Sequence, residues 1–107
     1  GKTLVAAFDY QRQIGKDGLR PRLLFLAHRE EILRQARDAF RHVLRDESFG
    51  AILAGGEIPA TYDYLFATIQ SISSQNIVSR LGADYWHFAV LDEAHHVPAE
   101  SYAELIG

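Results

Sequence analysis

The chain has 107 residues, a net charge of −3 at neutral pH and 48% apolar residues. That length accommodates one small domain, and that apolar content is too high for a disordered chain. With no cysteine, a disulfide framework and a thiolate metal site are both excluded, and with no apolar run long enough for a membrane span and no signal-peptide pattern, a cytoplasmic protein is expected.

In chain order, GKTLVAAFDYQRQIG places Leu4, Val5, Ala7 and Phe8 on a helical stripe, with Gly15 as its stop. KDGLRP reads as a turn-rich loop. Arg22 to Ala27 reads as a short buried strand. EEILRQARDAFRHVL has apolar residues at Ile32, Leu33, Ala36, Phe40, Val43 and Leu44, which is helical spacing. Gly50 to Ala54 reads as a second strand, followed by the loop GGEIPATYD. Tyr64 to Ile69 reads as a third strand, and QSISSQNIVSRLG as a polar stretch with a weak helical stripe. HFAVLD is the fourth strand, and PAESYAELI a helix with Pro98 near its first turn. Strands alternating with helices imply right-handed crossovers and a parallel sheet covered on both faces. The first helix is apolar enough to pack on a sheet, yet no strand precedes it. The chain is therefore expected to be cut from a longer one.

Charge divides unevenly. Residues 1–45 hold ten Lys/Arg against five Asp/Glu, and residues 46–107 hold one against nine. This can mark a basic binding face beside an acidic site, although solvated surface charge is the reading that composition alone favours.

Two short motifs carry chemistry. GKT matches the end of the phosphate-binding pattern G-x-x-x-x-G-K-[ST], which opens a helix. In that pattern backbone amides, Gly1 among them, face an anion, Lys2 reaches the β- and γ-phosphates, and the Thr3 hydroxyl binds Mg²⁺. A frayed helix end is the alternative for GKT alone. The second motif is HFAVLDEAHH, His87 to His96, an apolar run that ends in carboxylates. A P-loop NTPase needs a second metal-positioning acid at the end of a buried strand, and Asp92 occupies that place. Glu93 beside it is placed to polarise water as a general base. Helix capping by these acids is the alternative, but it does not explain why the chain also begins with GKT.

Together these stretches resemble a known family. DEAH, Asp92 to His95, resembles motif II of the superfamily-two helicases and translocases. GKT resembles the end of their motif I, and FLAHREEIL, Phe25 to Leu33, their motif Ia. FATIQSI, Phe66 to Ile72, resembles the segment after motif Ia that faces nucleic acid. The match covers nearly the whole chain in the expected order. LAHREEILRQA and ATIQSI are similar to the DNA-directed group that includes type III restriction subunits and related repair helicases. They differ from the PTRELA and TQPRR forms of the RNA helicases.

The resemblance implies an α/β fold: a RecA-like P-loop NTPase with a three-layer parallel sheet and helices on both faces. It would be incomplete, lacking the first strand and most of the phosphate loop. Residues 1–107 would form part of a helicase ATP-binding domain, the first of two RecA-like lobes of one chain. The expected cofactors are ATP and Mg²⁺, with Gly1, Lys2, Thr3 and His95 at the nucleotide, Thr3 and Asp92 at the metal, and Glu93 with Asp92 in catalysis. The expected partners are nucleic acid, DNA rather than RNA, and the second lobe. The intact protein would couple ATP hydrolysis to movement along nucleic acid or its remodelling, or act as a nucleotide-dependent switch or translocase module that unwinds nothing. The fragment alone is expected to be inactive.

Three residues are candidates for nucleic-acid contact. Arg29 follows the first strand and is the leading phosphate contact. Thr68 and Gln70 end the third strand, where they could bond a phosphate or sugar, or Thr68 could simply cap the next helix. His28 is equally a strand-ending polar residue or a contact. Arg34, Arg37, Arg41 and Arg45 recur opposite Phe40, where surface ion pairing is favoured and Glu30 is spaced to meet Arg34. Gly55 and Gly56 suit either a turn or a close backbone approach. Trp86 is expected to pack at the sheet edge.

Overall fold

A computed structural model describes residues 2–54, 59, 61–74, 80–82, 85–91 and 95–97. Among the described residues these elements follow one another: α1 (Lys2–Gln13), β1 (Leu23–Ala27), α2 (Glu30–Leu44), β2 (Ala51–Leu53), β3 (Tyr64–Thr68), α3 (Ile69–Ser74), β4 (Phe88–Leu91) and β5 (His95–Val97). The sheet order is β2-β3-β1-β4-β5. The β2–β3, β3–β1 and β1–β4 pairs are parallel, as expected from the alternation of strands and helices. The β4–β5 pair is antiparallel. That last strand is a departure, because the sequence reading carried the chain from β4 straight towards a helix. The helix expected from Pro98 onward lies outside the described residues, as do Gly55 and Gly56.

Successive side chains on a strand face opposite ways, and here both faces are buried. Leu23, Phe25, Phe66, Phe88 and Val90 join one apolar cluster with α1 and α2. Leu24, Leu26, Leu65, Ala67 and Ala89 join a second with Ile72 of α3 and Trp86. The chain moves from β1 to β2 through α2 on the first face. It moves from β3 to β4 in the opposite direction across the sheet, through α3 on the second face. Reversing direction while keeping right-handed crossovers requires opposite faces, so the three layers follow from connectivity.

The first cluster is aromatic. The Phe40 ring lies 5.4 Å edge-on to Phe66, and the Tyr10 ring 5.4 Å edge-on to Phe88. The Tyr10 hydroxyl is satisfied by donating to the Pro21 carbonyl at 2.6 Å, and burial raises its pKa. Trp86 is 2% exposed and donates its indole N–H to the Tyr62 carbonyl at 2.7 Å. It lies in the second apolar cluster with residues of the central strands.

The ends of α1 and α2 close in different ways. α1 stops at Gln13, and Gly15 is not among the residues with positive φ; the loop turns at Gly18, with φ +81°. At the end of α2 the left-handed position is held by Arg45, at φ 55° and ψ 43°. Asp46 N–H donates to Arg41 O at 3.0 Å and Arg45 N–H to His42 O at 3.4 Å, the bond pair of a Schellman cap. The arginine row of α2 also divides. Arg34 pairs with Glu30 at 2.9 Å, as its spacing suggests. Arg41 instead turns inward to donate its Nε–H to the Phe49 carbonyl at 2.7 Å.

Candidate functional site

Ligands of open parallel sheets bind beyond the carboxyl ends of the strands, so a candidate site is expected along that edge. Register aligns the ends closely. Ala27 of β1 pairs with Thr68 of β3, Leu26 with Leu91 of β4, and Ala67 with Leu53 of β2. β1 releases its chain into His28 and Arg29, and β3 passes directly from Thr68 into α3. β4 ends at Leu91, and Asp92 and Glu93 lie outside the described residues.

The start of α1 reaches the same edge. Near its end, Tyr10 bonds Pro21 just before β1, and the Gln11 amide donates to the Val43 carbonyl in the last turn of α2. The end of α1 therefore sits at the amino ends of the strands. Its 12 residues rise about 18 Å, which matches the length of a five-residue strand. Lys2 and Thr3 thus begin a helix whose free amides point towards the carboxyl edge. Its first turn holds no acidic residue. A helix N-terminus with a lysine and no carboxylate suits a phosphate group, so this part of the donor set fits a nucleotide. Gly1 lies outside the described residues, and His95 opens β5, paired in register with Leu91.

Arg29 is exposed and precedes α2 in extended backbone at φ −123° and ψ 139°, without a side-chain capping bond. Glu30 and Glu31 follow it in the first turn of α2. They favour the helix dipole but oppose an incoming phosphate, and the Glu30–Arg34 pair offsets one of them. Gln70 is exposed on α3. Thr68 is only 8% exposed. Its Oγ1 accepts the Ser71 backbone N–H at 3.2 Å and donates to Ser71 Oγ at 2.8 Å. The cap of α3 therefore engages both functions of the Thr68 hydroxyl. Ser71 was not among the residues singled out from sequence, although the T-x-x-S spacing is a capping signal.

The structure brings Arg29, Thr68 and Gln70 to one edge on adjacent strand ends, and the start of α1 to the same edge. A cleft of about 950 Å³ lies elsewhere, between Phe8 of α1 and Asp38, His42 and Arg45 towards the end of α2. It is at the opposite end of α2 from Arg29. Among the described residues no group of three His, Asp or Glu is placed to hold a metal, and no helix is long and apolar enough to cross a membrane.

The sequence matches the type III restriction enzyme res subunit family over residues 1–107. The chain belongs to that family. This res-subunit domain is a helicase-superfamily P-loop NTPase domain, and its parallel α/β sheet is consistent with a RecA-like fold. No curated protein and no solved structure shows significant similarity to it.

Proposed function

We propose that residues 1–107 form part of the first RecA-like lobe of a DEAH-type superfamily-two translocase or helicase. It is DNA-directed and cytoplasmic, and it couples Mg²⁺-dependent ATP hydrolysis to movement along or remodelling of DNA. The observation that carries this reading is the shared edge. The helix that opens with Lys2 and Thr3, the end of β4 that runs towards DEAH, and the ends of β1 and β3 with Arg29, Thr68 and Gln70 all meet there. A nucleotide and a nucleic-acid strand can then occupy neighbouring parts of one rim, which is what coupling requires.

In this reading Gly1, Lys2 and Thr3 bind the phosphates, and Thr3 and Asp92 hold Mg²⁺. The metal would neutralise charge developing on the transferred phosphoryl group. Glu93 takes the proton of the attacking water, and His95 senses the nucleotide. Arg29 and Gln70 serve the DNA backbone, which positions a strand without reading its sequence, while Thr68 caps the helix that carries Gln70. Hydrolysis also needs the second lobe, so the present chain alone is inactive. The family's restriction-subunit membership favours translocation over strand separation as the mechanical outcome.

The test separates the two acids in the intact protein. Glu93→Gln keeps shape but removes the base, so kcat for DNA-stimulated ATP hydrolysis should fall about a hundred- to ten-thousand-fold. Nucleotide affinity should survive, because the ground state loses little. Asp92→Asn should lower both rate and affinity. If Glu93→Gln hydrolyses ATP at the wild-type rate, the acid is only a helix cap and the assignment fails.

A further inference from the structure

The cleft between α1 and α2 combines an apolar ridge with two opposite charges that the fold leaves unmatched. Burial of α1 is one-sided. Ala6, Ala7 and Tyr10 lie in the core, whereas Leu4, Val5 and Phe8 are exposed, and Phe8, 50% exposed, lines the cleft. Residues four apart share a helix face, so Leu4 and Phe8 form a short ridge. Most charged side chains nearby are already engaged. Arg12 pairs with Asp9, Arg20 with Asp46 and Arg34 with Glu30, and Arg41 donates to the Phe49 carbonyl. Asp38 and Arg45 differ. Both line the cleft, and neither side chain has a hydrogen-bond or ion-pair partner among the described residues. Two helical turns, about 10 Å, keep them from meeting each other.

We propose that this cleft is a self-association surface and that its occupant is a second copy of the same chain, related by a two-fold axis. An acid and a base spaced along one helix are self-complementary. A two-fold axis perpendicular to α2, midway between them, makes the two copies of the helix antiparallel and sets Asp38 of each opposite Arg45 of the other. One ion pair is then made twice. The position at the midpoint is open to a close approach, because Arg41 is turned inward onto Phe49. A partner segment of single sign would match one of these charges and oppose the other, and His42 and Glu47 keep the rest of the cleft mixed in sign. The charge pattern therefore selects a copy over an acidic or a basic peptide. Phe8 supplies the apolar anchor. A half-exposed aromatic ring loses its hydration on contact and screens the neighbouring ion pairs from water. The cleft lies at the opposite end of α2 from Arg29, so this pairing leaves the carboxyl edge of each copy open. It stands independently of what that edge binds.

Sedimentation velocity of the intact protein over a concentration series, without nucleotide or DNA, tests this. The wild type should show a monomer–dimer equilibrium. Asp38→Arg and Arg45→Asp each set two like-charged pairs across the axis and should raise the dimer Kd about a hundredfold or more. Both side chains are exposed and unpaired within the chain, and Asp tolerates the left-handed backbone at position 45, so the fold should survive; thermal melting checks it. The double variant Asp38→Arg/Arg45→Asp exchanges the signs and should dimerise like the wild type. An equimolar mixture of the two single variants should also associate, although neither does so alone, because every cross-axis pair in the mixed dimer is then of opposite sign. Phe8→Ala should weaken the dimer about tenfold. A wild-type protein that stays monomeric up to about 100 µM overturns the proposal and leaves the cleft to a different partner or to solvent. A dimer that neither charge reversal weakens overturns it too, since association then uses another surface. So does a mixture of the single variants that fails to associate.

Discussion

At the scale of single residues, backbone geometry decides what a position can hold. Gly50 sits between the turn after α2 and β2 with φ +88°. A Cβ there would stand 2.7 Å from Cε1 of the buried Phe66 ring and 3.2 Å from Cγ of Arg37. Phe66 is packed against Phe25 and Phe40, so it has little room to move aside. Gly50→Ala therefore combines a left-handed penalty with overpacking, and should destabilise the domain by about 2–4 kcal/mol. Chemical denaturation of wild type and variant measures this; a loss below about 0.5 kcal/mol would mean that the turn relaxes freely. Gly18, also at positive φ, has nothing within 4 Å of a built Cβ. Its substitution meets only the backbone penalty. Thr68 shows the same lesson for polar groups: a residue type suited to phosphate contact is spent on a cap because its hydroxyl lies inward.

At the scale of elements, the end of α2 is anchored by side chains that a helix pattern does not reveal. Asp46 accepts from Arg20 at 2.7 Å and from the Ser48 N–H and hydroxyl at 3.0 and 2.7 Å. The Arg20 guanidinium, aided by both Ser48 bonds, holds the Asp46 pKa down at about 2. A carboxylate depressed in the folded state contributes stability that is present above its ordinary pKa, near 4, and is lost as pH falls through about 2. The pair is partly open to solvent, so the contribution is modest. The stability gap between wild type and Asp46→Asn should be widest above pH 4 and close as pH approaches 2. A gap that stays constant over that window would show that the carboxylate charge is not what anchors the turn. On the other side of the sheet, Tyr85 donates its hydroxyl to Asp63, which raises the Tyr85 pKa, and Arg22 Nε–H bonds the Tyr85 carbonyl. These bonds clasp the loops at the amino ends of β1, β3 and β4.

At the scale of the whole molecule, β1 is the keystone. It is flanked by β3 and β4, and Leu23 to Leu26 are wholly buried between two helical layers. Its amides should exchange with solvent only when the domain unfolds globally, whereas those of β2, at the sheet margin, should exchange through local opening. Hydrogen exchange read residue by residue checks this order. If β2 amides were protected as strongly as those of β1, β2 could not be a marginal strand. The distribution of charge acquires meaning at this scale too. The basic first half does not form one face, because Arg20, Arg22 and Arg41 bond the fold internally while Arg29 stands at the carboxyl edge.

Local pattern determined most of the elements. The apolar run LLFLA can bury itself only in a two-sided sheet, and the spacing of Leu33, Ala36, Phe40 and Val43 puts one stripe of α2 against it. The motif order pointed to a P-loop NTPase domain, and the family match agrees. Three features came only from the tertiary structure. The order β2-β3-β1-β4 pairs β1 with β3, about 40 residues apart, and rests on non-local pairing that no local window contains. The antiparallel β5 depends on an edge of β4 being open for pairing. The direction in which a side chain points also lay beyond the sequence: Thr68 inward onto Ser71, Arg41 inward onto Phe49, Arg29 outward to solvent. A sequence names the donors and acceptors present, but which of them remain for a ligand depends on which have already been paired within the fold.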